Sequence, residues 1–129
     1  MVTSPEDVEA QLDRLDRKYE RLQDGTILVR IASGQPPAAL RLSAPVLLAQ
    51  VEFGKLPTDP EKQRTMFRKV LELNTTELVH ASYGIASDTL VLVAALELAN
   101  LDPNELEAVL SDLDMALAEH TPMLRELLN

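Results

Sequence analysis

No cysteine and no tryptophan occur in the 129 residues. Without thiols the chain forms neither disulfides nor zinc–thiolate sites, and a reducing compartment is the expected setting. Aromatic residues number four, Tyr19, Phe53, Phe67 and Tyr83, too few for a platform on which bases stack. No apolar run approaches the roughly 18 residues of a membrane span. The opening MVTSPEDVEAQLDR has no basic stretch followed by an apolar one, so no signal peptide is expected. A cytoplasmic protein is therefore expected, forming one domain over residues 1–129, a length that needs no staple to fold.

Positive charge is also scarce, and it is unevenly placed. The net charge is −9. Residues 74–129 carry ten acids against one base, Arg125, whereas residues 25–57 and 58–73 are slightly basic. Such a chain repels phosphate backbones and anionic lipid, so neither nucleic acid nor membrane is expected as a partner.

What is present is strong local patterning. Ser4-Pro5-Glu6-Asp7 reads as a helix start: a capping serine, proline at the first helical position and an acid closing a capping box. Val8, Leu12, Leu15, Tyr19 and Leu22 follow at spacings of four, three, four and three, one apolar stripe that Asp24-Gly25 is expected to stop. Thr26–Ala32 is short and β-branched and reads as a strand. Ser33–Pro37 reads as a turn. Residues 39–43 alternate, with Leu40 and Leu42 on one face and Pro45 at an end or edge. Val46–Phe53 alternates with Leu47, Ala49, Val51 and Phe53 on one face.

Asp59-Pro60-Glu61 repeats the cap-and-proline start, and Asn74 is a plausible stop for that second helix. Residues 77–85 and 88–98 read as two strands joined in a hairpin around Ala86-Ser87-Asp88. The second strand is apolar on both faces; among Leu90–Leu98 only Glu97 is charged, the mark of a strand covered on each side. Asp102-Pro103-Asn104-Glu105 starts a third helix with Leu106, Val109, Leu110, Leu113 and Leu117 as its buried stripe. His120-Thr121-Pro122 is expected to kink or end it, with a short helical turn following through Leu128. The order α-β-β-β-α-β-β-α favours an α+β fold, an antiparallel sheet of about five strands with three helices.

Motif chemistry is missing. His80 and His120 have no second histidine at ligand spacing. Asp112 and Asp114 point about 200° apart on a helix and cannot share one ion. The four glycines stand alone, so no dinucleotide, phosphate-loop or nucleophile-elbow motif exists. No enzyme activity, catalytic residue, cofactor or metal is expected. On the second helix, Met66, Phe67, Val70 and Leu71 either pack on the sheet or turn some of their apolar area to a second subunit.

Three stretches carry a resemblance: LPTDPEKQRTMFRKVLELN (Leu56–Asn74), YGIASDTLVLVAALEL (Tyr83–Leu98) and LDPNELEAVLSDL (Leu101–Leu113). Their order is similar to the class I type III secretion chaperones and the related CesT/YbjN-like proteins. In that family a helix ending LLxLN often precedes a strand, an acidic turn and an apolar strand; here VLELN (Val70–Asn74) holds that place. The resemblance implies a homodimer that holds a client or partner polypeptide in extended form on apolar grooves. It makes Met66, Phe67 and Val70 candidates for the dimer interface. Val8, Leu12, Leu15, Val29 and Ile31 become candidates for the partner groove. Two other readings stay open: a YbjN-like regulatory or adaptor protein on the same fold, and a small enzyme or ligand-binding domain with no motif-coded site. An exposed apolar groove favours the first of the three, a deep polar pocket the last.

Overall fold

A computed structural model describes residues 2–31 and 34–128. Ala32, expected to end a strand, and Ser33, expected to open a turn, lie outside the described residues. The elements run α1 (Pro5–Arg14), β1 (Tyr19–Arg21), β2 (Ile27–Val29), β3 (Ala38–Ser43), β4 (Val46–Lys55), α2 (Pro60–Thr76), β5 (Ser82–Ala86), β6 (Thr89–Glu97) and α3 (Pro103–Leu128). The strands form one antiparallel sheet in the order β1-β2-β3-β4-β6-β5. The fold is α+β, with three helices as expected and six strands rather than five.

All three proline-led helix starts form. Ser4 Oγ accepts from the Asp7 amide, and the Asp7 carboxylate accepts from the Ser4 amide. Asp59 accepts from the Lys62 amide and Asp102 from the Glu105 amide. The hairpin also forms, with Ala86 opposite Thr89 and Ser87 at φ 54° in the turn.

The helix ends differ from expectation. α1 stops at Arg14, not at Asp24-Gly25, because Asp16 takes a left-handed φ of 57°. Tyr19 and Leu22 leave the helical stripe, and Tyr19–Arg21 become the sixth strand. Asp24-Gly25 is instead the turn of the β1–β2 hairpin: Gly25 has φ 92°, and Asp24 Oδ1 accepts from the Thr26 amide. β2 is shorter than expected and β5 begins only at Ser82, which leaves His80 exposed in the connection before it. α2 runs past Asn74 to Thr76, and α3 continues through Pro122 to Leu128.

The helices cover one face of the sheet. α3 is central, packing on α1, α2 and β6, and Leu106, Leu110, Leu113, Leu117 and Leu124 are fully buried beneath it. Leu90, Leu92 and Ala94 of β6 belong to this core, as do Leu47, Ala49 and Val51 of β4. β6 is indeed apolar on its second face, through Val91, Val93 and Ala95, but these lie outside that core. Val91 is still only 3% exposed, flanked by its register partners Glu52 and Gly84, whereas Ala95 is exposed.

Candidate partner-binding surfaces

A sheet has two edges, each with a row of outward N–H and C=O groups ready to pair with another strand. The edges of this sheet are treated differently. Along β5, the ladder with β6 turns Tyr83 outward. Its amide donates to Asn74 Oδ1 at 2.6 Å, and its carbonyl accepts from Asn74 Nδ2 at 3.3 Å. Just before β5, the amides of His80 and Ala81 donate to Asp112 of α3, at 3.0 and 3.2 Å. Side chains of α2 and α3 thus occupy backbone groups that a foreign strand would need.

Among the described residues no side chain caps the outward backbone of β1 in this way. Arg30 N donates to Lys18 O and Leu22 N to Thr26 O. The alternation between them turns Tyr19 and Arg21 outward, with peptide groups facing away from β2. Their side chains brace α1 instead: the Tyr19 hydroxyl donates to Asp13, and Arg21 pairs with Glu6 and Glu9. Hydrogen bonds from its own backbone and from Arg21 hold the Glu6 carboxyl below its ordinary range. Arg17, in the connection between α1 and β1, locks that connection to α3, bidentate to Glu107 at 2.9 and 3.2 Å and bonded to Asp114 at 3.1 Å. The Arg17 bond lowers the Glu107 pKa. The acids Asp112, Glu107 and Asp114 are therefore engaged in cross-links.

Beside the β1 edge the uncovered sheet face is hollowed. One depression of about 410 Å³ is lined by Leu22, Leu28, Pro36, Pro37 and Leu48, with Asp24, Arg41 and Glu52 among its polar lining. A second, of about 230 Å³, lies against Lys18, Glu20, Leu28, Arg30 and Pro37. Leu48 is 41% exposed here, a large apolar side chain on a sheet face that no helix covers.

The residues singled out from the sequence fall elsewhere. Val8, Leu12 and Val29 are wholly inside the core, and Leu15 and Ile31 sit at its margin. Met66 and Val70 are also buried in the chain's own core, Phe67 is partly buried against it, and Leu71 is 63% exposed. Between α2 and the end of α3, Thr65, Arg68, Met123 and Leu127 line an open cleft.

One cluster was not anticipated. His120 is buried, with Nδ1 2.6 Å from the Tyr83 hydroxyl and Nε2 2.6 Å from Glu77 Oε2. A carboxylate only accepts, so Nε2 carries a proton, and in the neutral ring Nδ1 accepts from the hydroxyl. Burial raises the Tyr83 pKa further above its ordinary value, which keeps that hydroxyl protonated. The signal was in the sequence: His120 continues the Leu113–Leu117 stripe toward Leu124 once the helix is allowed to pass Pro122.

The model of the CesT_Tir_1 family matches residues 1–129. No curated protein matches the sequence. Solved structures share the fold. A chain of the heterodimeric ExoU–SpcU complex from the type III secretion system of Pseudomonas aeruginosa superposes with a TM-score of 0.68 at 17% identity, covering 95% of this chain and 98% of that one. YbjN from E. coli gives 0.71 at 14% identity over 96% of each chain. The Yersinia pestis type III secretion chaperone SycH, in complex with a fragment of YscM2, gives 0.61 at 19% identity over 90% and 98%. The likeness to these structures is one of fold. No described helix is long and apolar enough to cross a membrane.

Proposed function

The chain belongs to the CesT_Tir_1 family, and on that premise we propose that it is a chaperone-like, non-enzymatic binding protein of the cytoplasm that holds an extended segment of a partner polypeptide along the edge of β1. The asymmetry of the two edges carries this: Asn74 occupies Tyr83 on β5, while Tyr19 and Arg21 of β1 face outward. A segment added there bonds through its main chain, and its side chains alternate between the two faces of the sheet. One row lies over the hollow lined by Leu28 and Pro37, the other over the rim of α1. The ExoU–SpcU and SycH–YscM2 structures are complexes of two different proteins, which agrees with this role.

Arg21→Pro tests it. Proline removes an outward amide that β2 does not use, a position that edge strands tolerate, while Arg21→Ala controls for the loss of the side chain. Polypeptides bound to the chain in its native host are identified by mass spectrometry and their segments synthesised. Binding should slow hydrogen exchange at Tyr19 and Arg21 at least tenfold. It should survive Arg21→Ala and be lost in Arg21→Pro. Equal binding by both variants removes the edge from the mechanism and favours an adaptor that engages a folded partner.

The same proposal includes a homodimer built on α2. Met66 and Val70 are consumed by the core, so the anchors are Phe67 and Leu71, whose apolar area on α2 the core leaves partly or largely open. Apolar area left open on a helix is commonly covered by a two-fold copy.

A further inference from the structure

Glu77 closes the C-terminal end of α2, and Glu119 and His120 are neighbours on α3. One ligand atom from each, two carboxylate oxygens and an imidazole nitrogen, lie within 4.8 Å of one another. We propose that Glu77, Glu119 and His120 form a binding site for a divalent transition-metal ion of the zinc type, joining the end of α2 to α3.

Exposed carboxylates often lie close together with no ion between them. The imidazole distinguishes this group. Its side chain is buried and its ring is fixed by the Tyr83 hydroxyl on Nδ1, so Nε2 is turned to Glu77 Oε2, with a Glu119 oxygen in the same cluster. Metal-bound histidines are oriented in this way, by a hydrogen bond to the nitrogen that does not bind the ion. An imidazole with two carboxylates suits zinc and its neighbours in the first transition row, and three protein ligands leave a fourth position for water. Calcium and magnesium prefer sites made of oxygen alone.

Charge acts in the same direction. Among the described residues no lysine or arginine pairs with Glu77 or Glu119; the ion-pair partner of Glu77 is His120 itself. Residues 74–129 have one base against ten acids, so the local field attracts a cation.

Little has to move. Ligand atoms around a tetrahedral zinc are roughly 3.3 Å apart, from bonds of about 2.0–2.1 Å. Glu77 Oε2, at 2.6 Å from Nε2, must withdraw by less than one ångström, and its side chain is partly exposed and free to turn. The ion takes the place of the Nε2 proton, which passes through solvent to Nδ1, so the neutral ring keeps its one proton. Nδ1 then donates to the Tyr83 oxygen, whose own hydrogen turns away, and the bond that orients the ring survives with its direction reversed.

The test is calorimetric titration of zinc into chelator-treated protein. One ion per chain should bind saturably. Glu119→Gln and Glu77→Gln should each weaken binding at least tenfold. Glu119 is exposed and has no partner among the described residues, so Glu119→Gln should melt like the wild type in the presence of chelator. Tyr83 gives a second readout. In a Tyr19→Phe background it is the sole fluorophore, as the chain has no tryptophan, and its emission should change with the same stoichiometry. The proposal is overturned if the wild type shows no saturable one-to-one binding. It is also overturned if both glutamine variants keep wild-type affinity, because the ion is then held by other acids.

Discussion

Asn74 grips Tyr83 as a neighbouring strand would, accepting from its amide at 2.6 Å and donating to its carbonyl at 3.3 Å. A helix side chain thus completes the ladder at the edge of β5. The same residue ends the VLELN string, where it reads as a helix stop; its task is to close the sheet.

Asn74→Ala should therefore have two effects. Losing both hydrogen bonds should lower stability by about 1–3 kcal/mol, read from urea denaturation. The uncovered edge should also pair with other chains, so scattered light should rise with concentration under native conditions. A variant with wild-type stability and no added association removes Asn74 from both roles.

Arg17 is the corresponding link on the other side. It joins the connection after α1 to α3 through Glu107 and Asp114, and only 14% of its side chain is exposed. Arg17→Met keeps the aliphatic stem and leaves two carboxylates without their partner. It should cost about 1–2 kcal/mol, since hydrogen bonds to charged groups are worth more than neutral ones. The pH dependence has a definite sign. The Glu107 pKa is lowered from an ordinary 4.5, first by the hydrogen bond from Arg17. The folded state therefore holds the proton less tightly than the unfolded chain. The contribution is complete above pH 4.5 and is lost as pH falls through the depressed folded value. The stability gap between wild type and Glu107→Gln should be full at pH 7 and shrink below about pH 4.5. A gap that stays constant down to pH 3 contradicts this.

What could be read in the sequence was what short-range chemistry decides. The starts at Ser4-Pro5, Asp59-Pro60 and Asp102-Pro103 need only a cap and a fixed φ, and all three form. The alternation of Leu47, Ala49, Val51 and Phe53 named the inner face of β4 correctly. The failures were places where one pattern serves two structures. Tyr19 and Leu22 continue a helical spacing yet lie at a strand, because Asp16 turns the chain first. Asp24-Gly25 suits a helix end and a hairpin equally. The surfaces were harder still. Periodicity shows that Val8, Leu12, Met66 and Val70 face something apolar, and in this chain that is its own core. The open edge of β1 and the capping of Tyr83 on the edge of β5 follow from strand order, which only the fold reveals.

Pro122 shows why the last helix was misjudged. The ring sits on an exposed part of α3, while Thr121 and Leu124 on either side are buried. Tertiary packing of that inner stripe carries the helix past a residue that lacks the amide proton. Pro122→Ala restores a donor and a better helix former without touching the core. Stability should rise by about 1–3 kcal/mol, measured as a higher urea midpoint with unchanged slope. No gain means that the carbonyl one turn earlier is already satisfied by solvent.

Leu71 offers the sharpest test of the proposed dimer. It is 63% exposed on α2, whereas Met66, five residues earlier and on the opposite side of the helix, is fully buried. A charged residue at Met66 unfolds the chain whether or not a dimer exists, so it distinguishes nothing. Leu71→Glu removes apolar area only where a second copy would take it up. If Leu71 is an interface anchor, the substitution should weaken association by about 2–4 kcal/mol, a thirtyfold or greater rise in the dissociation constant. The circular dichroism and urea midpoint of the isolated monomer should stay near wild type. Phe67→Glu should dissociate the dimer too, with some loss of monomer stability because Phe67 also packs against the core. Light scattering across micromolar concentrations reads both. A wild type that is monomeric at tens of micromolar overturns the dimer. A Leu71→Glu variant as dimeric as the wild type moves the interface off this face of α2.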